Sequence, residues 1–413
     1  MRYATTVIIG AGQAGLAMSK HLADRSIDHV LIERGEVANS WRNERWDSLR
    51  LLTPNWQSRL PGYAYRGDDP DGFMTMPQVV DYLTDYSGTI SAPAETNTNV
   101  LSVTPANGGF RVHTDRGVWQ CRKLVVASGA CNIANIPAVA SQLPGGIASV
   151  TPMDYRNPAQ LADGGVLVVG ASATGVQLAR EIRQSGRQVT LCAGEHVRLP
   201  RSYRGRDIQW WMDQTGLLDT DYRQVDDIGR ARRVPSLQLA GTPERRDYDL
   251  NALAADGVRI TGRLMSLDGT KAMLSGSLAN HCMRADLKMK RLLRAIDAFV
   301  ETSADGDVFG EPENFAPTRL ASAPPSQIDL KAEGIKTVVW ATGYRPDYAW
   351  LHLPVFDRKG RIVHDGGIVN MDGVYVLGLP FLRRRKSSLI DGAGADAADL
   401  ADHLSASLAL AAA

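Results

Sequence analysis

The stretch Thr6-Val7-Ile8-Ile9-Gly10-Ala11-Gly12-Gln13-Ala14-Gly15 decides the reading of this chain. Thr6–Ile9 is a short, β-branched, unbroken apolar run, the pattern of a strand buried on both faces of a parallel sheet. It passes directly into a G-x-G-x-x-G turn, after which Gln13–Asp24 has helical spacing. In that setting Gly10 permits the tight turn, Gly12 lets the backbone approach a pyrophosphate, and Gly15 allows close helix–strand packing. Gln13 and Ala14 open the helix, whose unpaired N–H groups and positive dipole end favour phosphate. His29–Glu33 reads as the returning strand. It sets Glu33, with Arg34 beside it, 18 residues beyond Gly15, where a carboxylate binds a ribose hydroxyl.

The same arrangement recurs about 160 residues later. Val166–Val169 leads into Gly170-Ala171-Ser172-Ala173-Thr174-Gly175, then a helical pattern over Gly175–Ser185 and a strand at Gln188–Cys192. Two further apolar runs, Leu124–Ala127 and Thr337–Trp340, end at Ser128-Gly129 and Thr342-Gly343. The fold class is therefore α/β, with two Rossmann-like dinucleotide-binding domains. The expected boundaries are 1–155 for the first domain, 156–325 for the second inserted in it, and 326–413 for the return to the first. At the end of the second unit Cys192-Ala193-Gly194 stands where Glu33 stands in the first, so no carboxylate repels a 2′-phosphate there. Glu195 is close by, and His196, Arg198, Arg201 and Arg204 follow. NADPH rather than NADH is the expected second nucleotide, with His196, Arg198 and Arg201 as candidate contacts.

Composition narrows the function. The chain has 413 residues, with 46 Lys+Arg against 45 Asp+Glu and a formal net charge of +1. That balance argues against nucleic acid or an anionic membrane as partner. No segment approaches the ~20 apolar residues of a membrane span, and Leu404–Ala413 reads as a helix tail. The 4 cysteines form no C-x-x-C pair, so neither a metal site nor a disulfide framework is expected, and a reducing cytoplasm is. Asp286–Val300 reads as an amphipathic cover helix, Asp207–Thr215 as a packed helix ending at Gly216, and Arg232–Arg246 has no legible pattern. The run Arg383-Arg384-Arg385-Lys386 reads first as a surface turn and second as a contact to a nucleotide phosphate. A homodimer is the default expectation for such a chain.

Beyond the two fingerprints, the chain carries Ser40-Trp41-Arg42-Asn43-Glu44-Arg45-Trp46-Asp47-Ser48-Leu49-Arg50-Leu51-Leu52-Thr53-Pro54, Asp154-Tyr155-Arg156-Asn157-Pro158, Leu199-Pro200-Arg201 and Ala341-Thr342-Gly343-Tyr344-Arg345-Pro346. In this order they resemble the bacterial flavin-containing monooxygenases, the single-chain class B flavoprotein monooxygenases, over nearly the whole length. The resemblance implies FAD on the first unit, with Ala127, Ser128 and Gly129 beside it, and NADPH on the second. It places Trp41, Arg42, Leu49 and Thr53 at the flavin ring, and Ala341, Thr342, Gly343 and Tyr344 at the turn linking the domains. It further implies that reduced FAD activates O2 as a C4a-(hydro)peroxyflavin, which oxygenates a small-molecule substrate. Three departures stand out: Thr151 lies where the family carries a His before Tyr155, Leu52 where it carries an Asn, and Val376-Leu377-Gly378-Leu379 lacks the family's Asp. Without that His, nitrogen or sulfur is the expected oxygen acceptor. Asn55, Thr53 and Asp391 are the candidate catalytic residues, Asp391 through a helix start placed near the flavin. The rival readings are a flavin reductase serving another acceptor and a non-catalytic NADPH sensor.

Overall fold

The computed structural model describes residues 1–303 and 308–410. The first βαβ unit is β1 (Arg2–Ile9), α1 (Gln13–Asp24) and β2 (His29–Ile32), followed later by β3 (Gly117–Val126). Then come β4 (Ala148–Val150), β5 (Gly165–Val169), α2 (Ala173–Gln184), β6 (Val189–Ala193), α3 (Ile208–Gln214), β7 (Arg259–Gly262), α4 (Leu278–Thr302) and β8 (Ile335–Trp340). β9 (Val374–Val376) and α5 (Ile390–Leu410) return to the first unit.

Two sheets organise these elements, the first mixed with a parallel centre and the second parallel. In the first, β9, β3, β1 and β2 lie side by side, with Val374 opposite Leu124 and Val7 opposite both Leu124 and Val30. Val7, Ile8, Leu124 and Val125 are wholly buried, because α1 and α5 pack together on the sheet. Both faces are covered, which is why these strands are uninterrupted apolar runs. The second sheet has the order β4-β8-β5-β6-β7, parallel throughout.

Sheet membership moves the expected domain boundaries outward. β4 lies before residue 156 and β8 after residue 325, yet both belong to the second sheet. Thr337–Trp340 therefore does not return to the first domain as expected; β8 inserts between β4 and β5. A doubly buried strand carries no sequence mark of which sheet it joins.

The expected α1 is matched residue for residue, and α2 starts two residues earlier than read. The cover helix is longer, starting at Leu278, and buries Leu293 and Ile296 while Leu287 stays exposed. α3 buries Trp211 and Met212 and is followed by Gly216 in the left-handed region. The illegible loop has a definite seat on the second fingerprint. Gln238 Nε2 donates to the Ala171 carbonyl at 2.8 Å, and Gln177 Nε2 to that of Leu239 at 2.8 Å. α5 continues to Leu410, and residues 411–413 of the expected tail lie outside the described residues. No described helix is long and apolar enough to cross a membrane.

Candidate active site

The two glycine turns are duplicates in backbone as well as in sequence. Gly10 has φ +109° and Gly170 φ +110°, a conformation that side chains other than glycine rarely adopt. Gly10 N donates to Ile32 O at 2.9 Å and Gly170 N to Cys192 O at 3.0 Å. A Cβ at Gly10 would lie 2.6 Å from Ala127 O, and one at Gly170 would strike Ala341 O. Gly12 and Ser172 begin their helices at φ −84°, ψ −173° and φ −83°, ψ −174°. Nothing lies within 4 Å of a Cβ at Gly12, so serine at the matching place costs no protein contact.

The first turn opens on a cavity of about 390 Å³ lined by Gly10, Gly12, Gln13, Ala14, Glu33, Arg34, Trp41, Ala127, Ser128 and Gly129. Gly15 packs behind the turn, where a Cβ would run into the Gly10 carbonyl. Glu33 is held at the strand end, its carboxylate accepting Ala11 N at 2.8 Å and Gly35 N at 3.2 Å. Ser128 Oγ is buried with no hydrogen-bond partner among the described residues. An unused hydroxyl, an open cradle at Gly12 and a carboxylate at the ribose position together fit an adenine dinucleotide such as FAD. Sequence reasoning missed Thr98, Asn99, Asn132, Asp347 and Trp350, which line the same cavity. They come from separate loops and carry no local motif. Gly378, from the stretch that departs from the family pattern, also lines it. Its φ is +79°, and a Cβ there would lie 2.9 Å from Ala14 Cβ.

A second cavity of about 210 Å³ is walled by both domains. Trp41, Leu49, Thr53 and Cys131 come from the first unit, Ala173, Thr174, Gln177 and Tyr344 from the second, and Ser388–Ile390 from the start of α5. It shares Gln13, Trp41, Arg45, Cys131 and Ser388 with the first cavity. Trp41 is fixed by its indole N–H donating to Gln13 Oε1 at 3.3 Å. Ala341-Thr342-Gly343-Tyr344 is the link between the domains. Thr342 Oγ1 donates to Asn135 O at 2.5 Å, Asn135 N to Gly343 O at 2.9 Å, and Tyr344–Arg345 pairs with Ile133–Ala134. Burial raises the Tyr344 phenol above its ordinary range, so it serves as a neutral hydroxyl. A third, polar cleft of about 380 Å³ adjoins the second cavity through Trp46, Arg50 and Gln177.

Several candidate residues are placed elsewhere. Asn55 is not catalytic in position: its Oδ1 accepts Met74 N at 2.7 Å and its Nδ2 donates to Asp69 O at 2.9 Å, leaving it a buried loop staple. Asp391 lies in the first turn of α5, inside the helix expected to start at Asp396. Its carboxylate is held by Arg59 at 2.6 Å and Lys386 at 3.0 Å, so it anchors the helix start that lines the cavity. Arg42 pairs with Glu36 at 3.2 Å and lines neither nucleotide cavity.

The basic cluster expected at the second nucleotide turns inward. Arg198, 4% exposed, is held by Asp249 at 2.7 Å and Asp286 at 2.6 Å. Arg201, 1% exposed, binds Asp207 at 2.5 Å and donates to Leu52 O at 2.8 Å, tying the flavin-side tract to the second domain. Arg204 pairs with Asp297 at 2.7 Å. His196 is buried, its Nδ1 donating to Gly194 O at 2.9 Å, and burial lowers its pKa. Sequence shows that these residues are basic, not that the fold brings distant carboxylates onto Arg198 and Arg204.

The run at 383–386 is likewise structural. Arg383 and Arg384 grip Asp399 at 3.0 and 2.9 Å, Arg384 also Asp396 at 2.8 Å, and Lys386 also Asp219 at 3.0 Å. Through Arg383, Arg384 and Lys386 it staples α5 to the segment after α3, while the Arg385 guanidinium sits 5.0 Å from the Phe381 ring centre. Ser172, Thr174 and the buried, unpartnered Gln238 Oε1 remain beside the second fingerprint. These are groups that suit a second dinucleotide, NADPH.

Two nucleotide folds meeting at a shared cavity define a two-dinucleotide oxidoreductase. A sequence profile of the family described as Pyridine nucleotide-disulphide oxidoreductase matches residues 7–212. The oxidoreductase named CzcO-like of Geobacillus kaustophilus is 33% identical over 395 residues, 95% of each chain. Indole-3-pyruvate monooxygenase YUCCA6 of Arabidopsis thaliana is 31% identical over 209 residues, 48% of this chain and 50% of that one. The flavin-containing monooxygenase of Stenotrophomonas maltophilia shares the fold, with a TM-score of 0.69 at 18% identity, covering 98% of this chain and 99% of that one. The chain belongs to the CzcO-like oxidoreductases.

Proposed function

We propose that this enzyme is an NADPH-dependent monooxygenase that transfers one oxygen atom of O2 to a nitrogen or sulfur of a small molecule. Bound FAD, reduced by NADPH, would supply the oxygen-activating chemistry, and the protein would supply binding, orientation and dryness. One observation carries the reading. The cavity walled by both nucleotide domains is lined by Trp41, Trp46, Leu49, Leu51, Leu52, Thr53 and Ile390 and, among the described residues, by no carboxylate or histidine. A soft nitrogen or sulfur takes oxygen without help from a protein base, so a site with no such base suits it. Leu49, Leu51, Leu52 and Ile390 keep water out, while Gln13, Thr53 and Thr174 are hydrogen-bonding groups on the wall. The cleft beyond Trp46, Arg50 and Gln177 is the substrate's approach.

A second reading, oxygenation beside a carbonyl, is favoured by Arg45 and Arg50 at the same cavity, since cations there would favour the anionic oxygen donor such a reaction needs. The relative named for indole-3-pyruvate, a 2-oxo acid, points the same way. Disulfide reduction is disfavoured: the cysteines are free, and Cys131 is the one at the cavity.

The test is to reduce the enzyme anaerobically with NADPH and mix it with oxygenated buffer. The proposal expects a slow return of the oxidised flavin spectrum with little peroxide released, hastened by a tertiary amine or thioether with one oxygenated product per NADPH. Immediate return with stoichiometric peroxide would replace it with the reductase reading. Failure of NADPH to reduce the flavin would leave a nicotinamide sensor.

A further inference from the structure

We propose that Arg263 is the residue that reads the 2′-phosphate of NADPH, a role for which the sequence offers His196, Arg198 and Arg201 as candidates. The inference rests on NADPH occupying the second fingerprint.

The internal duplication fixes the geometry of the second strand end. Gly10 N donates to Ile32 O and Gly170 N to Cys192 O, so Ile32 matches Cys192, Glu33 matches Ala193, and Arg34 matches Gly194. In the first unit Glu33 and Arg34 line the nucleotide cavity. In the second, Ala193 removes the carboxylate that would repel a phosphate, and Gly194 removes the side chain after it. The space is filled from the neighbouring strand. β7 pairs with β6 through Ala193 opposite Gly262, which brings Arg263 alongside Gly194. A Cβ on Gly194 would have Arg263 Cδ at 3.6 Å and Arg263 Cβ and Cγ at 3.8 Å. The Arg263 stem thus lies beside the place that the side chain of Arg34 takes in the first unit.

Arg263 is also electrostatically available, where its basic neighbours are not. Arg198, Arg201 and Arg204 are each closed by an aspartate. Glu195, the carboxylate nearest the strand end in sequence, is met by Lys288 at 3.3 Å. Arg263 is exposed, and its guanidinium has no ion-pair or hydrogen-bond partner among the described residues. It is a free, forked cation at the carboxyl end of a parallel sheet, where nucleotides bind. A guanidinium recognises phosphate through paired N–H donors.

The experiment titrates the FAD-loaded enzyme by calorimetry with adenosine 2′,5′-bisphosphate and with adenosine 5′-monophosphate, probes that differ only in the 2′-phosphate. The wild type is expected to prefer the bisphosphate. Arg263→Ala should lose about tenfold or more of that affinity, with 5′-monophosphate binding unchanged within twofold, and Arg263→Lys should recover part of the loss. The wild-type preference should fall with added salt, and that of Arg263→Ala should not. A variant that keeps the full preference overturns the assignment to Arg263 and leaves NADPH in place. A wild type with no preference overturns the NADPH reading itself, and this proposal with it. Equal weakening toward both probes would mark a structural role and overturn it too.

Discussion

Replacing Arg198 by methionine separates what the sequence implies about this residue from what the structure assigns to it. If Arg198 read the 2′-phosphate, Arg198→Met would bind NADPH weakly and fold normally. In the structure its side chain and that of Asp249 are 5% and 8% exposed, with Asp286 at 12%. It also donates to Ala316 O at 2.9 Å, pinning the segment that covers α4. Removing one partner of a buried ion pair typically costs 3–5 kcal/mol, because uncompensated charge stays behind. Here two carboxylates remain, but neither is bare. Asp249 caps a helix by accepting Ala252 N at 2.8 Å, and Asp286 accepts Thr318 N and its hydroxyl, both at 2.9 Å. Those donors set the expected loss near the lower end, about 3 kcal/mol. At a urea dependence of 2–3 kcal/mol/M, that lowers the unfolding midpoint by roughly 1 M. Adding Asp249→Asn and Asp286→Asn removes the stranded charge while keeping the carbonyl acceptors, and should restore at least half of the loss. The ratio of NADPH to NADH affinity should not change in either variant. An Arg198→Met protein with the wild-type midpoint and no NADPH preference would refute the structural account.

Two further outcomes are expected. Burial and the nearby Arg232 hold His364 down to about pKa 4 against an ordinary 6.5, and its Nδ1 accepts Gly367 N at 3.1 Å, which requires the neutral ring. The unfolded chain therefore binds the proton first, so stability is full well above pH 6.5 and falls as pH drops toward 4, by about 3 kcal/mol. His364→Gln should flatten that slope in midpoint-versus-pH measurements, and an unchanged slope would show that other groups control it. Cys131 is the part-exposed cysteine at the nucleotide cavities, while Cys121, Cys192 and Cys282 are buried. Flavin-free protein should take up one maleimide at Cys131 by mass spectrometry, and FAD should block it. Labelling that FAD does not slow would place the flavin elsewhere.

The legible part of the site is the part built from neighbours in sequence. Gly10, Gly12, Gln13, Ala14, Glu33 and Arg34 share one βαβ unit and reach one cavity together. Thr98, Asn132, Asp347 and Trp350 meet them only through the fold, so nothing local marked them. Arg198 and Arg201 misled for the converse reason. Their basic character is local, but Asp249 and Asp286, which neutralise Arg198, lie 51 and 88 residues away.

By itself the sequence determined two βαβ units, their glycine turns, the acid at the end of the first unit's second strand and its absence in the second unit. Each of these depends on backbone conformation and spacing within about 30 residues, where the chain has few alternatives. Only the tertiary structure decided that β8 joins the second sheet, that Asn55 and Asp391 hold a loop and a helix start, and that aspartates close Arg198, Arg201 and Arg204. Sheet partner and charge partner are set by long-range packing. A parallel strand pairs with segments far along the chain, and a buried cation takes whichever carboxylate the fold brings within 3 Å.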